Sequence, residues 1–298
     1  MDQVTPQPLV RLAKQQRRTT PLMISGFTIV SLVGLAIGLL ITGAAAGLLA
    51  GLLGVGGGIA IVPVLIVVTE IFDVPQDIAM LVVVGTSLAT IIPTSISSAR
   101  AHRKRGAFDP YILRSWTPAI FGGALIGGIA SNYLGSNGLM LVFGCVALAV
   151  SINLALPKTL VLALSPPQTL PARTAIALPI GFTSALMGIG GGTLSVPVMT
   201  MLSVPVHRAV ATASVFGLAI AVPAVCGFIW SGWAVAGRPP GSFGYVNAPA
   251  AVVLFSTSVI TAPLGAKLAH RLPARKLKIA FAVFLFVSAL RMLWKAIT

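Results

Sequence analysis

Apolar residues run along this chain in long, unbroken stretches rather than in alternation. The stretches cover residues 22–42, 43–71, 78–99, 111–134, 139–156, 174–202, 207–230, 247–270 and 278–297. Runs of about 18 residues or more read as membrane-crossing helices. Lipid leaves only helices and closed barrels as spanning structures, and a barrel would alternate with period two. Two stretches are broken near their middles by glycine, at Gly54-Val55-Gly56-Gly57-Gly58 and at Gly188-Ile189-Gly190-Gly191-Gly192.

The polar punctuation supplies a topology. Basic residues cluster at 100–105 and 271–278, while the turn Gly135-Ser136-Asn137-Gly138 between two spans carries no charge and the loop 233–247 carries only Arg238. Basic loops face the cytoplasm. A Pro-rich connector at 157–173 separates two similar halves. Gly54-x-Gly56-Gly57-Gly58-x4-Pro63 recurs 134 positions later as Gly188-x-Gly190-Gly191-Gly192-x4-Pro197. Asp109, Gly127, Leu134 and Phe143 recur 138 positions later as Asn247, Gly265, Leu272 and Phe281. A doubled block of this kind marks an internal repeat.

Equivalent loops of the halves differ in charge, so they are expected on opposite sides of the membrane. The expected fold is an all-α integral membrane protein with two inverted repeats. Each repeat has a Gly-broken hairpin, re-entrant or built of half-helices, plus about three transmembrane helices. The expected organisation is a cytoplasmic basic segment 1–21, an extra first span 22–42, repeat 1 at 43–156, the connector 157–173 and repeat 2 at 174–298. Ala44-Ala45-Ala46 resembles a signal cleavage site. The apolar run before it is longer than a signal h-region, so it reads as an uncleaved span with the N-terminus cytoplasmic. Re-entrant hairpins give about seven crossings, full helix pairs eight or nine.

Composition narrows the picture. The chain has 298 residues, 56% hydrophobic and 8% charged, against about 25% charged in a soluble domain. The formal charge of +15 lies in short clusters between apolar runs. That is the pattern of a multi-pass membrane protein, and nucleic acid is not an expected partner. Cys145 and Cys226 both sit in apolar runs and read as small core residues. No paired carboxylates, Ser/His/Asp set or metal-ligand spacing converges, so neither an enzyme nor a cofactor is expected.

The glycine motifs carry the expected chemistry. A helix interrupted at mid-depth is tolerated only where it lines a cavity or is buried in protein. Glycines let other atoms approach the backbone closely. The half-helix that restarts after them presents unpaired N–H groups and a positive dipole end, an anion site without a basic side chain. Two such tips meeting near the midplane are a binding geometry of secondary transporters. The candidate binding residues are Gly56, Gly57, Gly58, Gly190, Gly191 and Gly192. Hydroxyls of Thr86, Ser87, Thr193, Ser195 and Ser214 are candidates beside them, each weighed against a simple bond to its own helix backbone. Glycine-mediated helix packing is the competing account of the motifs. Glu70, Asp73, Asp77 and His207 sit at the far ends of the broken segments, where a solvated interface or a proton-linked gate would place them.

Gly47 through Gly58 with Pro63, Gly181-Phe182 through Gly192 with Pro197, Arg105-Gly106-Ala107-Phe108-Asp109 and Ala262-Pro263-Leu264-Gly265-Ala266 together resemble the TauE/SafE sulfite exporter family. The resemblance implies a secondary transporter of sulfite, sulfonates or related anions in a bacterial inner membrane. The extra first span departs from that pattern. The expected function is therefore a small-anion carrier working by alternating access. An anion channel and a non-transporting scaffold subunit are the rivals. A coupling proton or sodium ion and a homodimer are compatible with the sequence.

Overall fold

The structure is a computed structural model that describes residues 29–53, 56–103, 108–156, 162–268 and 274–297. The basic segment 1–21, the start of the first span, Gly54, Val55, Lys104, Arg105 and the turn before Ala274 lie outside the described residues. The chain forms two units, residues 1–38 and 39–298. The first contributes the start of one helix, and the remaining architecture belongs to the second.

Nine helices and one small hairpin are described. They are α1 (Ile29–Leu53), α2 (Gly58–Ile71), α3 (Gln76–Arg103), α4 (Pro110–Ala155), α5 (Leu170–Met187), α6 (Gly192–Met201), α7 (Val206–Ser231), α8 (Ala248–Leu268) and α9 (Ala274–Ile297). Strands β1 (Ser242–Phe243) and β2 (Val246–Asn247) pair antiparallel before α8. Among the described residues six helices are long and apolar enough to cross a membrane: α1, α3, α4, α5, α7 and α8. At about 1.5 Å per residue, α2 and α6 reach only about 21 and 15 Å, short of the roughly 30 Å hydrocarbon thickness.

Several boundaries differ from the sequence reading. α1 runs unbroken through Thr42 and Gly43, where one span was expected to end and another to begin. Gly43-Ala44-Ala45-Ala46-Gly47 holds no proline or charge to stop a helix, and its small side chains let α1 lie against α8. Its end at Leu53 falls 134 positions before the end of α5 at Met187. α5 begins inside the expected connector, with Pro171 in its first turn. α4 is two helices that meet at Gly135 (φ 63°, ψ −176°), the pair expected there, with the break at one glycine rather than over the four residues 135–138. The Gly/Pro loop before α8 is pinned into the β1–β2 hairpin.

Both halves build the same joints. After α2 the N–H groups of Phe72, Asp73 and Val74 donate to the carbonyls of Val68, Glu70 and Thr69. After α6 those of Leu202, Ser203 and Val204 donate to Val198, Thr200 and Met199. Asp73 (φ 48°) and Ser203 (φ 63°) both take the left-handed conformation, and Pro75 and Pro205 then open α3 and α7. These matches lie 130 positions apart (205 − 75 = 130), against 134 at the glycines. One helical turn more therefore sits in α2 than in α6.

The halves also exchange contacts. A Cβ on Gly47 (α1) would collide with the Ser258 carbonyl (α8), and one on Gly181 (α5) with the Ile120 carbonyl (α4). Gly265 stands against the Leu48 carbonyl, and Gly127 against that of Phe182. Asp109 N–H donates to Thr212 Oγ1 on α7 at 3.1 Å, and Asn247 N–H to Thr86 Oγ1 on α3 at 2.9 Å. Asp109 and Asn247 each cap the helix they precede, accepting from Ile112 and Ala250 N–H at 3.0 Å. Each half thus lays its own helices on the other half, at repeat-related positions. Glycine permits this backbone-to-backbone approach, which in lipid is the main source of helix association.

Candidate functional site

α5 ends at the second glycine motif in a Schellman turn. Gly188 is left-handed (φ 67°), its N–H donates to Ala185 O at 3.3 Å, and Ile189 N–H donates to Ser184 O at 3.1 Å. α6 restarts at Gly192 with Gly191 as its cap, and Ser195 N–H is the first to find a carbonyl, that of Gly191 at 3.0 Å. The amides of Gly192, Thr193 and Leu194 have no hydrogen-bond partner among the described residues. At the first motif Gly56 (φ 72°) and Gly57 (φ 79°) are both left-handed, and α2 starts at Gly58. Ala60 and Ile61 N–H share the Gly57 carbonyl at 3.0 and 3.3 Å.

The two tips touch. A Cβ on Gly58 would strike the Gly188 carbonyl, and one on Gly56 would fall 3.1 Å from the Gly190 Cα. A Cβ on Gly57 would lie 2.7 Å from the Ala46 carbonyl of α1. One on Gly191 would lie 2.6 Å from Phe216 Cβ and 2.9 Å from Gly217 N on α7. The space beside each of these four glycines is therefore filled by neighbouring protein atoms. The glycines let the tips and their supporting helices close on one another, and what the second tip offers a solute is its N–H groups.

The hydroxyls divide sharply. Ser214 Oγ donates to the Ala211 carbonyl of its own helix at 2.6 Å. Ser87 Oγ crosses from α3 to donate to the Gly188 carbonyl at 2.7 Å, which ties the second tip to the first half. Thr86 is committed to the hairpin through Asn247. Thr193 Oγ1 and Ser195 Oγ, by contrast, are buried with no hydrogen-bond partner among the described residues, at 3% and 0% exposure. Leaving a buried hydroxyl unpaired costs about 1–3 kcal/mol, so such a pair marks a place built for another polar partner.

Other side chains share this property and were absent from the sequence-based set, three of them on elements that pack near the second tip. Ser184 Oγ in the last turn of α5, Ser95 Oγ on α3 and Trp116 Nε1 on α4 are buried and unpaired in the same sense. Ser95 Oγ abuts Gly217 from the α3 side, while Gly191 abuts it from the tip side. Trp116 stacks on Phe216, with ring centroids 6.5 Å apart and planes 2° apart. The α3 run Thr86-Ser87-x2-Thr90-x3-Thr94-Ser95-x-Ser97-Ser98 is the sequence signal that could have found Ser95. Nothing local distinguishes Trp116 or Ser184 from core residues.

The chemistry on offer is donation. Unpaired amides and the hydroxyls of Thr193 and Ser195 stand at the start of α6, and the helix dipole adds positive character there. Among the described residues no group of three or more His, Cys, Asp and Glu could hold a metal ion. The acidic residues lie elsewhere. Glu70, at the far end of α2, pairs with Arg291 at 3.1 Å and Lys295 at 2.7 Å on α9. Asp73 occupies the turn after α2, and His207 lies in the first turn of α7.

The family described as "Sulfite exporter TauE/SafE" matches residues 39–292. A "Probable membrane transporter protein" of Haemophilus influenzae is 36% identical over 259 residues, covering 86% of this chain and 97% of that one. Relatives with the same description in Bacillus subtilis and Methanocaldococcus jannaschii are 34% and 28% identical. They cover 58% and 86% of this chain and 71% and 94% of their own lengths. No solved structure matches the chain.

Proposed function

The chain belongs to the TauE/SafE sulfite exporter family and is a multi-pass membrane transporter, and we propose on that premise that its cargo is a small anion, sulfite or an organosulfonate. The anion is held where the two glycine tips meet, chiefly by the unpaired amides of Gly192, Thr193 and Leu194 and the hydroxyls of Thr193 and Ser195. The observation that carries this reading is the buried, unpaired donor set at the start of α6, with no basic side chain in it. An anion desolvated there exchanges water for neutral donors. A buried lysine or arginine would hold it more tightly and slow its release.

The two halves work as inverted repeats, and rocking of one against the other opens the tip junction to each side in turn. Reciprocal contacts through Gly47, Gly181, Gly127 and Gly265 support the repeat relation. The direction of the basic ends supports the inversion. α8 starts beside Thr86 and reaches Thr94 at Ser258, where the two hydroxyl oxygens are 2.6 Å apart. α3 and α8 therefore run the same way and bring their basic last turns to one face, the cytoplasmic one, in a bacterial inner membrane.

Counterflow tests the reading. Proteoliposomes preloaded with unlabelled sulfite are expected to accumulate radiolabelled sulfite transiently above equilibrium, and Thr193→Val is expected to suppress this. A channel would give flux without the overshoot. Full overshoot in Thr193→Val and Ser195→Ala alike would remove the anion from the α6 tip.

A further inference from the structure

The last turns of α3 and α8 part around a cleft that lies outside the tip junction. Its volume is about 640 Å³, and its walls include Pro93 and Ile96 of α3 and Val259 and Pro263 of α8. Arg100 and Lys267 line it toward the C-terminal ends of the two helices. Two ties hold the helices together where the cleft begins: Thr94 to Ser258, and Ser97 Oγ donating to the Val259 carbonyl at 2.9 Å. Pro93 and Pro263 each remove a backbone donor from their helix next to those ties.

Arg100 and Lys267 form no ion pair or hydrogen bond among the described residues. The cleft has the size of a small-molecule site, two unpaired cations toward one end and largely apolar walls. A free inorganic anion would gain the cations but lose its water to walls that donate nothing. An anionic head joined to a hydrocarbon chain fits both parts. α8, which forms one wall, has only 28% of its span buried in protein, against 83% for α3. One wall is thus a lipid-facing helix, and basic pockets between spans take phospholipid head groups.

We propose that this cleft binds an anionic phospholipid, with its phosphate on Arg100 and Lys267 and an acyl chain along Ile96, Val259 and the two prolines. The site is independent of the tip junction and stands or falls separately from the cargo.

The test is native mass spectrometry of the purified full-length protein with phosphatidylglycerol, phosphatidylcholine and hexanesulfonate as probes. The wild type is expected to retain phosphatidylglycerol selectively. The double variant Arg100→Gln/Lys267→Gln is expected to bind it about thirtyfold more weakly, with phosphatidylcholine unaffected. Arg100→Lys should retain binding, which separates charge from misfolding. Ala101→Trp keeps both cations but fills the cleft and should also displace the lipid. Undiminished phosphatidylglycerol in the double variant or in Ala101→Trp would overturn the proposal, as would hexanesulfonate binding there while the lipid does not.

Discussion

The two glycine tips share a sequence motif but not a structure. At the first, Gly56 and Gly57 are left-handed, and α2 begins Gly58-Ile59-Ala60-Ile61. At the second, Gly188 is left-handed, Gly191 is right-handed (φ −56°), and α6 begins Gly192-Thr193-Leu194-Ser195. Thr193 and Ser195 therefore stand where the first tip has Ile59 and Ile61. A similar split separates α3 from α7, since Ser87 and Ser98 match Gly217 and Phe228 at the 130-position offset. One tip and the long helix of the other half carry the polar donors, while their repeat partners carry packing. A duplicated scaffold has one donor-rich face, so the cargo site proposed above is asymmetric although the frame is repeated.

The largest effects should come from filling either tip. Gly57→Val and Gly191→Val are each expected to abolish sulfite counterflow, with membrane insertion and monodispersity retained. Normal flux in either would break the picture of two tips closing on one another.

Polar substitutions should then separate the tips. Thr193→Val and Ser195→Ala each remove a donor that the proposed site gives its anion, worth about 1.5–3 kcal/mol. The concentration for half-maximal counterflow should rise about tenfold or more, while Ile59→Val and Ile61→Val leave it within about twofold. Equal effects at the two tips would erase the asymmetry.

Milder replacements probe backbone conformation. Gly57→Ala meets both a left-handed φ, costing about 1–2 kcal/mol, and the Ala46 carbonyl. Gly191→Ala meets only crowding by Phe216 and Gly217, at about 1–3 kcal/mol. Thermal unfolding in detergent should show Gly57→Ala as the less stable variant, and the reverse order would contradict the assigned backbones.

Ser87→Ala removes the tie from α3 to the Gly188 carbonyl and should cost about 1 kcal/mol in the same assay. No change would mean that the second tip is held by packing alone.

The smallest effect concerns the hairpin, which braces α3 beside the second tip. Tyr245 is buried and donates to Asn132 Oδ1 at 2.9 Å. Burial raises its pKa above the ordinary 10.0, with Asp77 adding to the rise and Arg238 opposing it. A raised phenol pKa stabilises the fold below about pH 10, and that contribution is lost as pH climbs through the folded value. Ultraviolet titration should show one late-ionising tyrosine that Tyr245→Phe removes.

Much of this was legible in the chain. The long apolar runs announced membrane helices because lipid leaves a backbone few alternatives. The spacing of Gly54 through Pro63 and Gly188 through Pro197 announced the repeat, and the glycines marked the breaks. Of the candidate hydroxyls, Thr193 and Ser195 are unpaired, while Thr86, Ser87 and Ser214 are engaged. Ser95, Trp116 and Ser184 went unseen because each looks like an ordinary helix residue until another element is laid against it. The boundary drawn at residue 42 differs from the structure, where α1 runs on through Thr42 and Gly43 and its small residues form a packing surface for α8.

By itself, then, the sequence determined the solvent, the helical class, the doubled frame and the family, since hydropathy and motif spacing are properties of the chain alone. Only the tertiary structure decided which hydroxyls are already paired, and that glycine faces are spent on close contact between the tips and with neighbouring helices. It also decided that the hydroxyls of Thr193 and Ser195 at the second tip stay buried without a partner among the described residues. Hydrogen bonding and close packing join residues about a hundred positions apart, and no local pattern records which partner will arrive.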